Sequence, residues 1–270
     1  MCKCLKLHHS GYYVWLKTPL SNRAIENREL LENIKSFWKE SGRIYGYRKI
    51  HQDLLDEGFT VGENRIHRIM KANRIRAKIG KKQRKLKYGV PSKVSENVLK
   101  QQFNAGKPNE IWVGDTTYIR TLQGWLYLAT VIDLFSRKVV GWAMSARNNS
   151  KLTVDSIQMA AKHRKVEGDL VFHSDQGVQY SSIPFLSVLK SNNIISSMSR
   201  RGNCYDNAVA ESFFQLLKRE KIQGKVYKTR DEAKSDIFEY IELFYNSKRR
   251  HNQCDLKSPN EYEKQYFLCL

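Results

Sequence analysis

Three carboxylates have the residue type and the sequence context for phosphoryl chemistry assisted by a divalent cation. Asp115, Asp175 and Glu211 stand in segments that predict a strand, a strand end and a helix, with 59 residues between the first two and 35 between the last two. A hard cation takes several oxygen ligands, and in catalysis it also keeps positions open for phosphate oxygens. We therefore select these three residues as candidate catalytic residues and candidate metal ligands.

Asp115 stands within a predicted strand and Asp175 stands just after another. For each of them a purely structural role is the alternative to a catalytic one. The alternation in IWVGDTTYI places Asp115 on the same strand face as Val113, where a carboxylate without a partner is costly. Asp175 follows the apolar run LVFH, at the strand end where open α/β sheets carry functional groups. The alternatives are a structural aspartate bonded to neighbouring groups at position 115 and a turn-forming aspartate before Gly177.

The third acid stands in the helical pattern DNAVAESFFQLLKRE, for which Asp206 is a suitable N-cap. Glu211 lies well off the apolar stripe of this helix, and an isolated glutamate there would be an ordinary exposed residue. Lys218 follows two turns later on the same face, about 10 Å away at 1.5 Å per residue. A carboxylate and an ammonium group on one helix face suit DNA lying along it. The apolar stripe consists of Val209, Phe213, Leu216 and Leu217.

The chain is basic, and its charge is uneven. Its 270 residues carry a formal net charge of +20, and residues 1–100 hold +14 of it, from 23 Lys and Arg against 9 Asp and Glu. Nine basic residues and no acid occur between positions 71 and 87. Release of phosphate counterions favours nucleic acid as the partner of such a run, although an ordinary solvated surface is the alternative. The candidate DNA contacts in this run are Lys81, Lys82 and Arg84.

Composition argues against a membrane or an oxidising compartment. The mean hydropathy is −0.59, and no apolar run approaches the roughly 20 residues that cross a bilayer. The amino end lacks the long apolar stretch and the cleavage site of a signal peptide. The five cysteines are odd in number and scattered, and Cys2 and Cys4 are too close together for a zinc knuckle. We expect a cytoplasmic protein with reduced cysteines.

Residues 1–77 are predicted to form a helical DNA-binding region. Apolar residues at helical spacing mark one helix at 23–39, a second in YGYRKIHQDLLDEG and a third in ENRIHRIMKANRI. Two short helices joined by a tight turn, with basic residues on the second, suit a helix-turn-helix. A helical hairpin that only packs on a catalytic domain is the alternative. The predicted inward residues are Ile25, Leu30, Ile34, Phe37, Ile50, Leu54, Leu55, Ile66, Ile69 and Met70.

After a basic linker at 78–108, residues 109–224 predict an α/β catalytic core. Three strands with short connections, IWVGDTTYI, WLYLATVID and KVVGWAM, favour antiparallel neighbours, with Asp133 as a turn residue. A helix at 150–165, the strand LVFH, a helix at 181–190 and a strand at 194–196 follow. This order predicts a mixed five-stranded sheet with helices on both faces, which is the plan of a ribonuclease-H-like fold.

Residues 225–270 are predicted to form a helical, basic carboxyl-terminal segment. Thr229 and Glu232 suit a capping box, and the helix after them is expected to end near Asn246. The cluster KRRH follows at once. Its arginines, Arg249 and Arg250, are candidate DNA contacts.

Six stretches between residues 45 and 263 carry a family resemblance. They are YGYRKIH, IWVGDTTYI, GWLYLATVIDLFSRKVVGW, HSDQGVQY, SRRGNCYDNAVAESFF and YNSKRRH…SPNEYE. Together they closely resemble the integrase-core transposases of bacterial insertion sequences, in particular the protein encoded by the second reading frame (OrfB). A small departure is Cys254, where the family more often has an apolar Leu.

The resemblance implies a ribonuclease-H-like core of the retroviral integrase type, with Asp115, Asp175 and Glu211 as its acidic triad and two Mg²⁺ or Mn²⁺ ions. It implies a DNA transposase that cleaves double-stranded DNA at the element ends and transfers the strands into target DNA. It also implies an upstream-frame protein as partner, separate or fused by frameshifting, a homo-multimer, and a place at the bacterial nucleoid. Lys218, Arg200 and Arg201 are further candidates for phosphate contacts.

Two other functions stay open at this point. A ribonuclease H or a resolvase could use the same fold, but such nucleases need less DNA-binding apparatus than these basic regions provide. A DNA-binding protein derived from a decayed transposase would keep the basic regions. The complete set of three acids argues against that second alternative.

Overall fold

The structure of this chain contains two compact units. The computed structural model describes residues 4–5, 8–78, 105–166, 168–199 and 207–269, and the chain divides into residues 1–79 and 80–270. Most of the predicted linker at 78–108 therefore lies outside the described residues. Five of the predicted DNA contacts also lie outside them, namely Lys81, Lys82, Arg84, Arg200 and Arg201.

The amino-terminal unit is helical, as its apolar spacing predicts. Its helices are α1 (His9–Lys17), α2 (Asn22–Glu40), α3 (Tyr47–Asp56) and α4 (Glu63–Ala72). Ile34, Ile50 and Ile66 are fully buried, one from each of α2, α3 and α4. Ile25 and Leu55, which were expected to face inward, are 54% and 41% exposed. Short helices that pack on one another bury only a narrow stripe, and these two residues lie at its margin.

A short connection joins α3 to α4. Gly58 follows α3 with a φ of +88°, a conformation that favours glycine after a helix end. Nε2 of His51 in α3 donates to the carbonyl oxygen of Val61 at 2.8 Å, in the tautomer that this contact requires. The connection is therefore fixed against α3, which gives the compact helix pair that the sequence predicts.

A five-stranded mixed sheet forms the centre of the second unit. The strands are β1 (Ile111–Thr121), β2 (Gly124–Asp133), β3 (Val139–Ser145), β4 (Leu170–Ser174) and β5 (Ile194–Met198). Their order across the sheet is β3-β2-β1-β4-β5. Pairs β1–β2 and β2–β3 are antiparallel, whereas pairs β1–β4 and β4–β5 are parallel. Short turns produce the antiparallel half and helical crossovers the parallel half, which confirms the predicted sheet.

Helices cover both faces of this sheet. They are α5 (Ser150–His163), α6 (Ile183–Ser191), α7 (Ala208–Leu217), α8 (Arg230–Phe238) and α9 (Pro259–Leu268), with π-helical turns at Lys218–Ile222 and Glu239–Tyr245 and a 3₁₀ turn at Asn252–Cys254. Ile157 of α5 and Phe185 of α6 pack with Trp112 of β1 on one face. Phe213 of α7 packs with Val113 of β1 on the other, since successive strand residues point to opposite faces. Among the described helices, none combines the length and apolar character needed to cross a membrane.

The carboxyl-terminal segment shares the core of the sheet. Tyr240 and Ile241 are buried in the same cluster as Val113. In α9, the Glu263 carboxylate accepts one hydrogen bond from Arg164 at 2.8 Å. It accepts another from the buried hydroxyl group of Ser136. Residues after 225 therefore form part of the same compact unit as the sheet.

Helix α8 begins at the predicted cap. The side-chain oxygen of Thr229 accepts the backbone N–H of Glu232 at 3.1 Å. The Glu232 carboxylate accepts the backbone N–H of Lys228 at 2.8 Å, one residue before the position that a complete capping box requires. The helical stretch ends with the π turn at Tyr245, next to the predicted end at Asn246.

A buried ion pair corrects one predicted DNA contact. Arg249 donates from Nε and Nη2 to the Glu220 carboxylate at 2.8 and 2.7 Å, and the hydroxyl of Tyr240 donates to it at 2.7 Å. The side chains of Arg249 and Glu220 are 7% and 1% exposed. Arg249 is therefore not available to DNA, and the prediction for this residue is wrong. Arg250 is only partly buried, and its guanidinium donates to the carbonyl oxygen of Leu256 at 2.9 Å. It therefore stays a predicted DNA contact.

Asp133 forms the turn after β2, in agreement with its sequence context. Its carboxylate accepts the backbone N–H groups of Asn109 at 2.8 Å and Phe135 at 2.9 Å. Burial raises the pKa of Asp133 to about 6, although these two bonds favour the charged form. The carboxylate thus holds two backbone segments together.

Candidate active site

Strand β1 places Asp115 on the sheet face that α7 covers. Val113 on this face is fully buried and Asp115 is partly buried. The backbone N–H of Thr116 donates to Oδ1 of Asp115 at 2.7 Å. On the opposite face, a Cβ at Gly114 would lie 2.3 Å from the ring of Phe172. A glycine at this position therefore lets Phe172 pack directly on β1 beside the acid.

Strand β4 places Asp175 next to Asp115. The parallel register pairs Gly114 with Ser174, so the residues that follow them, Asp115 and Asp175, lie side by side where β4 ends. Oδ1 of Asp175 accepts the backbone N–H of Gly177 at 3.0 Å. This bond orients the carboxylate at the exposed end of the strand.

Helix α7 brings Glu211 to the same region. Asn207, at the N-cap position, is buried and donates from Nδ2 to the carbonyl oxygen of Gly114 at 3.3 Å. Glu211 lies one turn into the helix and is partly buried. Val209 and Leu216 of the predicted apolar stripe are only partly buried, so Glu211 adjoins the buried stripe and does not lie well off it. The buried side chains of α7 are Ala210, Phe213, Phe214 and Leu217.

The three carboxylates interact electrostatically. Burial, and next the charge of Asp175, raise the pKa of Asp115 well above its ordinary value. Glu211 raises this pKa further, whereas the N–H of Thr116 and the charge of Lys218 lower it. The pKa of Asp175 is also raised, because the surrounding protein limits hydration of its carboxyl group and because Glu211 is negative, although the residue lies at an exposed edge. A cation would relieve this repulsion.

Lys218 follows α7 directly and lies beside β1. Its Nζ is 5.1 Å from the centroid of the Tyr118 ring. Burial lowers the pKa of Lys218, whereas the negative charge of Asp115 raises it. Because β4 pairs with β1 only as far as Gly114, the edge of β1 beyond that residue is open to this lysine. The structure thus brings four predicted site residues to one end of the sheet, namely Asp115, Asp175, Glu211 and Lys218.

Family matches cover most of the chain. Residues 105–204 match a family described as "Integrase core domain", and residues 211–267 match a second family of the same description. Residues 25–83 match a family described as "HTH-like domain". The match to the HTH-like domain favours a helix-turn-helix over a simple hairpin for the amino-terminal helices.

Relatives match the chain over nearly its whole length. Transposase InsF for insertion sequence IS3A of Escherichia coli (strain K12) is 39% identical over 268 residues, which are 97% of this chain and 92% of the relative. The chain belongs to the IS3-type insertion-sequence transposases. An uncharacterized 31 kDa protein of insertion element IS600 from Shigella sonnei is 37% identical over 98% of both chains. The predicted family is confirmed, and the chain is a DNA transposase with an integrase-type core.

Two solved structures are similar to part of the transposase. An intasome of simian T-cell lymphotropic virus, in complex with PP2A regulatory subunit B56 gamma, matches 78% of this chain and 69% of its own with a TM-score of 0.48 and 17% identity. The trimeric form of the HTLV-2 integrase catalytic core domain in complex with magnesium matches 58% of this chain and 98% of its own with a TM-score of 0.44 and 18% identity. The fold assignment rests on the sheet order and the integrase-core match, which confirm the ribonuclease-H-like plan.

Two further residues near the acids are not marked by the sequence patterns described above. The ring of Tyr180 is buried, and its hydroxyl has no hydrogen-bond partner among the described atoms. Burial, and next the charges of Asp115 and Asp175, raise its pKa well above the ordinary value. The other residue is Asn207, because the predicted cap, Asp206, lies outside the described residues. An asparagine before a helix is itself a cap signal, whereas no local signal marks a tyrosine of this kind.

The acids suit a hard divalent cation in their chemistry. All three offer carboxylate oxygens, which Mg²⁺ and Mn²⁺ prefer. Within the described ranges, no three acidic, histidine or cysteine side chains are close enough to hold one ion together. Repulsion between like charges favours such a separation. The donor set therefore fits the cation, and shared coordination stays a prediction.

Proposed function

We propose that Asp115, Asp175 and Glu211 are the catalytic acids of this transposase and that they hold two divalent ions, Mg²⁺ or Mn²⁺. The observation that supports this most directly is the register that pairs Gly114 with Ser174, because it brings the residues that follow them, Asp115 and Asp175, next to each other where β4 ends. The charge of Glu211 raises the pKa of both aspartates, so α7 carries its carboxylate close to them. Two aspartates whose charged forms are disfavoured, with the negative charge of Glu211 acting on both, are a natural place for cations.

The proposed reaction is in-line phosphoryl transfer in two steps. Water attacks the phosphate at the element end, the bond between phosphorus and the 3′ oxygen breaks, and a 3′-OH is released. This hydroxyl then attacks a target phosphate, the bond between that phosphorus and the target's own 3′ oxygen breaks to leave a 3′-OH, and the strands are joined without ATP or a covalent protein intermediate. Bound divalent ions supply the positive charge that stabilises the attacking and leaving oxygens. The part of the protein is to hold the three carboxylates on rigid elements around the reacting phosphate.

We also propose which basic residues contact the phosphates. Lys218 is the strongest candidate, because its ammonium group lies beside Tyr118 and its charge acts on Asp115. Arg250 retains partial exposure in the carboxyl-terminal segment. The remaining candidates rest on the sequence alone and are Lys81, Lys82, Arg84, Arg200 and Arg201.

The proposed partners are element-end DNA, target DNA and further protein chains. Joining requires two ends to be held together, so we propose that the transposase acts as a homo-multimer. The resemblance to second-reading-frame transposases supports a further partner, the upstream-frame protein of the same element, either separate or as a frameshift fusion. The chain would then act in the cytoplasm at the bacterial nucleoid.

A cleavage assay tests this function. Purified transposase, alone and with the upstream-frame protein, is given labelled duplexes that carry the ends of its own element, a scrambled duplex, and an RNA–DNA hybrid. We expect a nick that leaves a 3′-OH at the element end, in Mg²⁺ or Mn²⁺ and not in EDTA. Preferential cleavage of the hybrid would favour a ribonuclease H. Binding of end DNA without any metal-dependent nick would favour a DNA-binding protein.

A second prediction concerns the loop that orients Asp175. A Cβ at Gly177 would lie 2.9 Å from Oδ1 of Asp175 and 3.2 Å from the side-chain oxygen of Gln179. Both neighbours are the ends of side chains that can rotate, so Gly177→Ala should change the free energy of unfolding by less than about 1 kcal/mol. The Asp175 carboxylate must move, and such misplacement should slow cleavage by about 10- to 100-fold.

Cleavage rates and urea unfolding of the same preparations check this prediction. Val178→Ala is the control, because Val178 lies in the same loop and its side chain is 61% exposed. It should cleave at the wild-type rate. Wild-type cleavage by Gly177→Ala would show that the observed orientation of Asp175 is not the catalytic one.

A further inference from the structure

The hairpin of β1 and β2 carries a group of aromatic rings near the proposed catalytic acids. The register pairs Tyr118 with Tyr127 and Arg120 with Trp125. Residues two apart on a strand share a face, so these four side chains lie on the same face of the hairpin. Tyr118, Trp125 and Tyr127 are named the aromatic shelf.

The shelf is accessible to solvent, and its rings are not among the buried residues of the core clusters. Trp125 is 45% exposed, and Tyr118 and Tyr127 are partly exposed. The rings of Tyr118 and Trp125 meet edge to face, with centroids 5.1 Å apart and an angle of 85° between their planes. In such a contact the edge of one ring meets the face of the other, and part of the ring surface stays exposed. The reverse face of the hairpin carries the buried residues Ile119 and Leu126, which attach it to the core.

Positive side chains surround the shelf. Nζ of Lys218 lies 5.1 Å from the centroid of Tyr118. Arg120 is exposed. Nε of Arg230 donates to the carbonyl oxygen of Trp125 at 3.1 Å, which places a third cation at the rim. Open aromatic faces together with cations are the combination that binds unpaired nucleotides, through stacking and phosphate attraction.

The shelf also lies close to the acids. Tyr118 follows Asp115 by three residues on β1, or about 10 Å at 3.3 Å per residue, and its side chain starts from the opposite face of the strand. Lys218 connects the two places, since it directly follows α7, the helix that carries Glu211, and its Nζ lies beside the Tyr118 ring. Because β4 pairs with β1 only as far as Gly114, a strand whose phosphate lies at the acids can pass around this edge of β1 to the rings.

We propose that the aromatic shelf stacks an unpaired base of the DNA strand whose phosphate reacts at Asp115. This inference rests on the proposed function. It adds that one base of the reacting DNA has left the duplex. A paired base offers a protein only its edges in the grooves. Its flat face becomes available for stacking once the base leaves the duplex. The shelf would hold the released base and so keep the neighbouring phosphate at the carboxylates.

Binding measurements with the whole transposase test the shelf. Single-stranded oligonucleotides that contain 2-aminopurine are titrated with protein in EDTA, where no cleavage is expected, and stacking is followed by quenching of the 2-aminopurine fluorescence. We expect Trp125→Ala to weaken single-strand binding about ten-fold and to reduce the quenching, because stacking on one ring carries this much affinity. Trp125→Phe keeps a ring and should retain most of both. Binding of fully paired duplex should change much less.

Leu122→Ala is the matched control, because Leu122 belongs to the same hairpin, is 72% exposed and is not part of the shelf. It should bind as wild type does. Wild-type single-strand affinity in Trp125→Ala would overturn the proposal. So would a change in oligomeric state with unchanged DNA affinity, which would make the shelf a protein contact. A wild-type protein that binds single strands through Trp125 but never nicks DNA would overturn the proposed function and leave the shelf in place.

Discussion

Asp115→Asn is expected to abolish DNA cleavage while the transposase stays folded and still binds DNA. The asparagine keeps the shape of the side chain and an oxygen for the Thr116 N–H, but it removes a negative charge from the proposed metal site. Loss of the charge stabilisation that bound ions provide should slow cleavage by about a thousand-fold, or roughly 4 kcal/mol. Because burial and Asp175 disfavour the charged form of Asp115, the free energy of unfolding should be unchanged or higher.

Cleavage of element-end DNA in Mg²⁺, binding of the same DNA and urea unfolding are measured on one preparation of each variant. Asp133→Asn is the matched control, since Asp133 is also a buried aspartate with a raised pKa but has its partners in a turn. It should lose stability and keep its cleavage rate per folded molecule. If Asp115→Asn retained more than about a tenth of wild-type cleavage, the role assigned to Asp115 would be untenable.

Arg249→Met is expected to lower the free energy of unfolding by about 3–5 kcal/mol, because it leaves a buried carboxylate without its guanidinium partner. Glu220 would lose two charge-assisted bonds, of 2.8 and 2.7 Å. Burial alone would lower the pKa of Arg249, yet the hydrogen bonds and the charge of Glu220 raise it above its ordinary value. This pairing therefore favours the charged state of the arginine in the folded protein.

Arg219→Met is the control for this prediction. Arg219 also approaches the Glu220 carboxylate, at 3.4 Å, but its side chain is 43% exposed. Because the Arg219 side chain is largely solvated and its contact with the carboxylate is long, this contact should contribute less than about 1 kcal/mol. The double replacement Glu220→Leu with Arg249→Met should recover part of the loss, since it removes both buried charges. An Arg249→Met protein with wild-type stability and weakened DNA binding would restore the original prediction of a DNA contact.

The positions of the two aspartates could be predicted because strand signals are local. Alternation alone puts Asp115 on the face of Val113, and the end of a short apolar run marks Asp175. The short connections between the first three strands also fix their antiparallel pairing. These features depend on neighbours in sequence, and the structure has them as expected.

The contact surface of α7 could not be predicted in the same way. Its sequence contains two overlapping apolar stripes, and the structure buries the one formed by Ala210, Phe213, Phe214 and Leu217. Spacing of i, i+3, i+4 and i+7 fits this stripe well, but alanine is only weakly apolar and gives little signal. The choice between the stripes depends on the packing of α7 against β1, which is a tertiary effect.

The role of Arg249 could not be predicted from the charges of its neighbours in sequence. A cluster of basic residues suggests an exposed surface, whereas the partner of Arg249 is Glu220, 29 residues earlier in the chain. These two residues meet because the π-helical turn after α7 and the chain after the second π turn pack together. Sequence-distant pairs of this kind leave no local pattern.

The helix that carries Glu211 is attached at both of its ends. Asn207 joins its beginning to Gly114, and Glu220, just past its last turn, joins it to Arg249. A ligand or subunit that displaces the carboxyl terminus would therefore also shift the third acid relative to the first. Such a linkage would make turnover responsive to assembly, and a truncated chain could keep every acid yet lose their alignment.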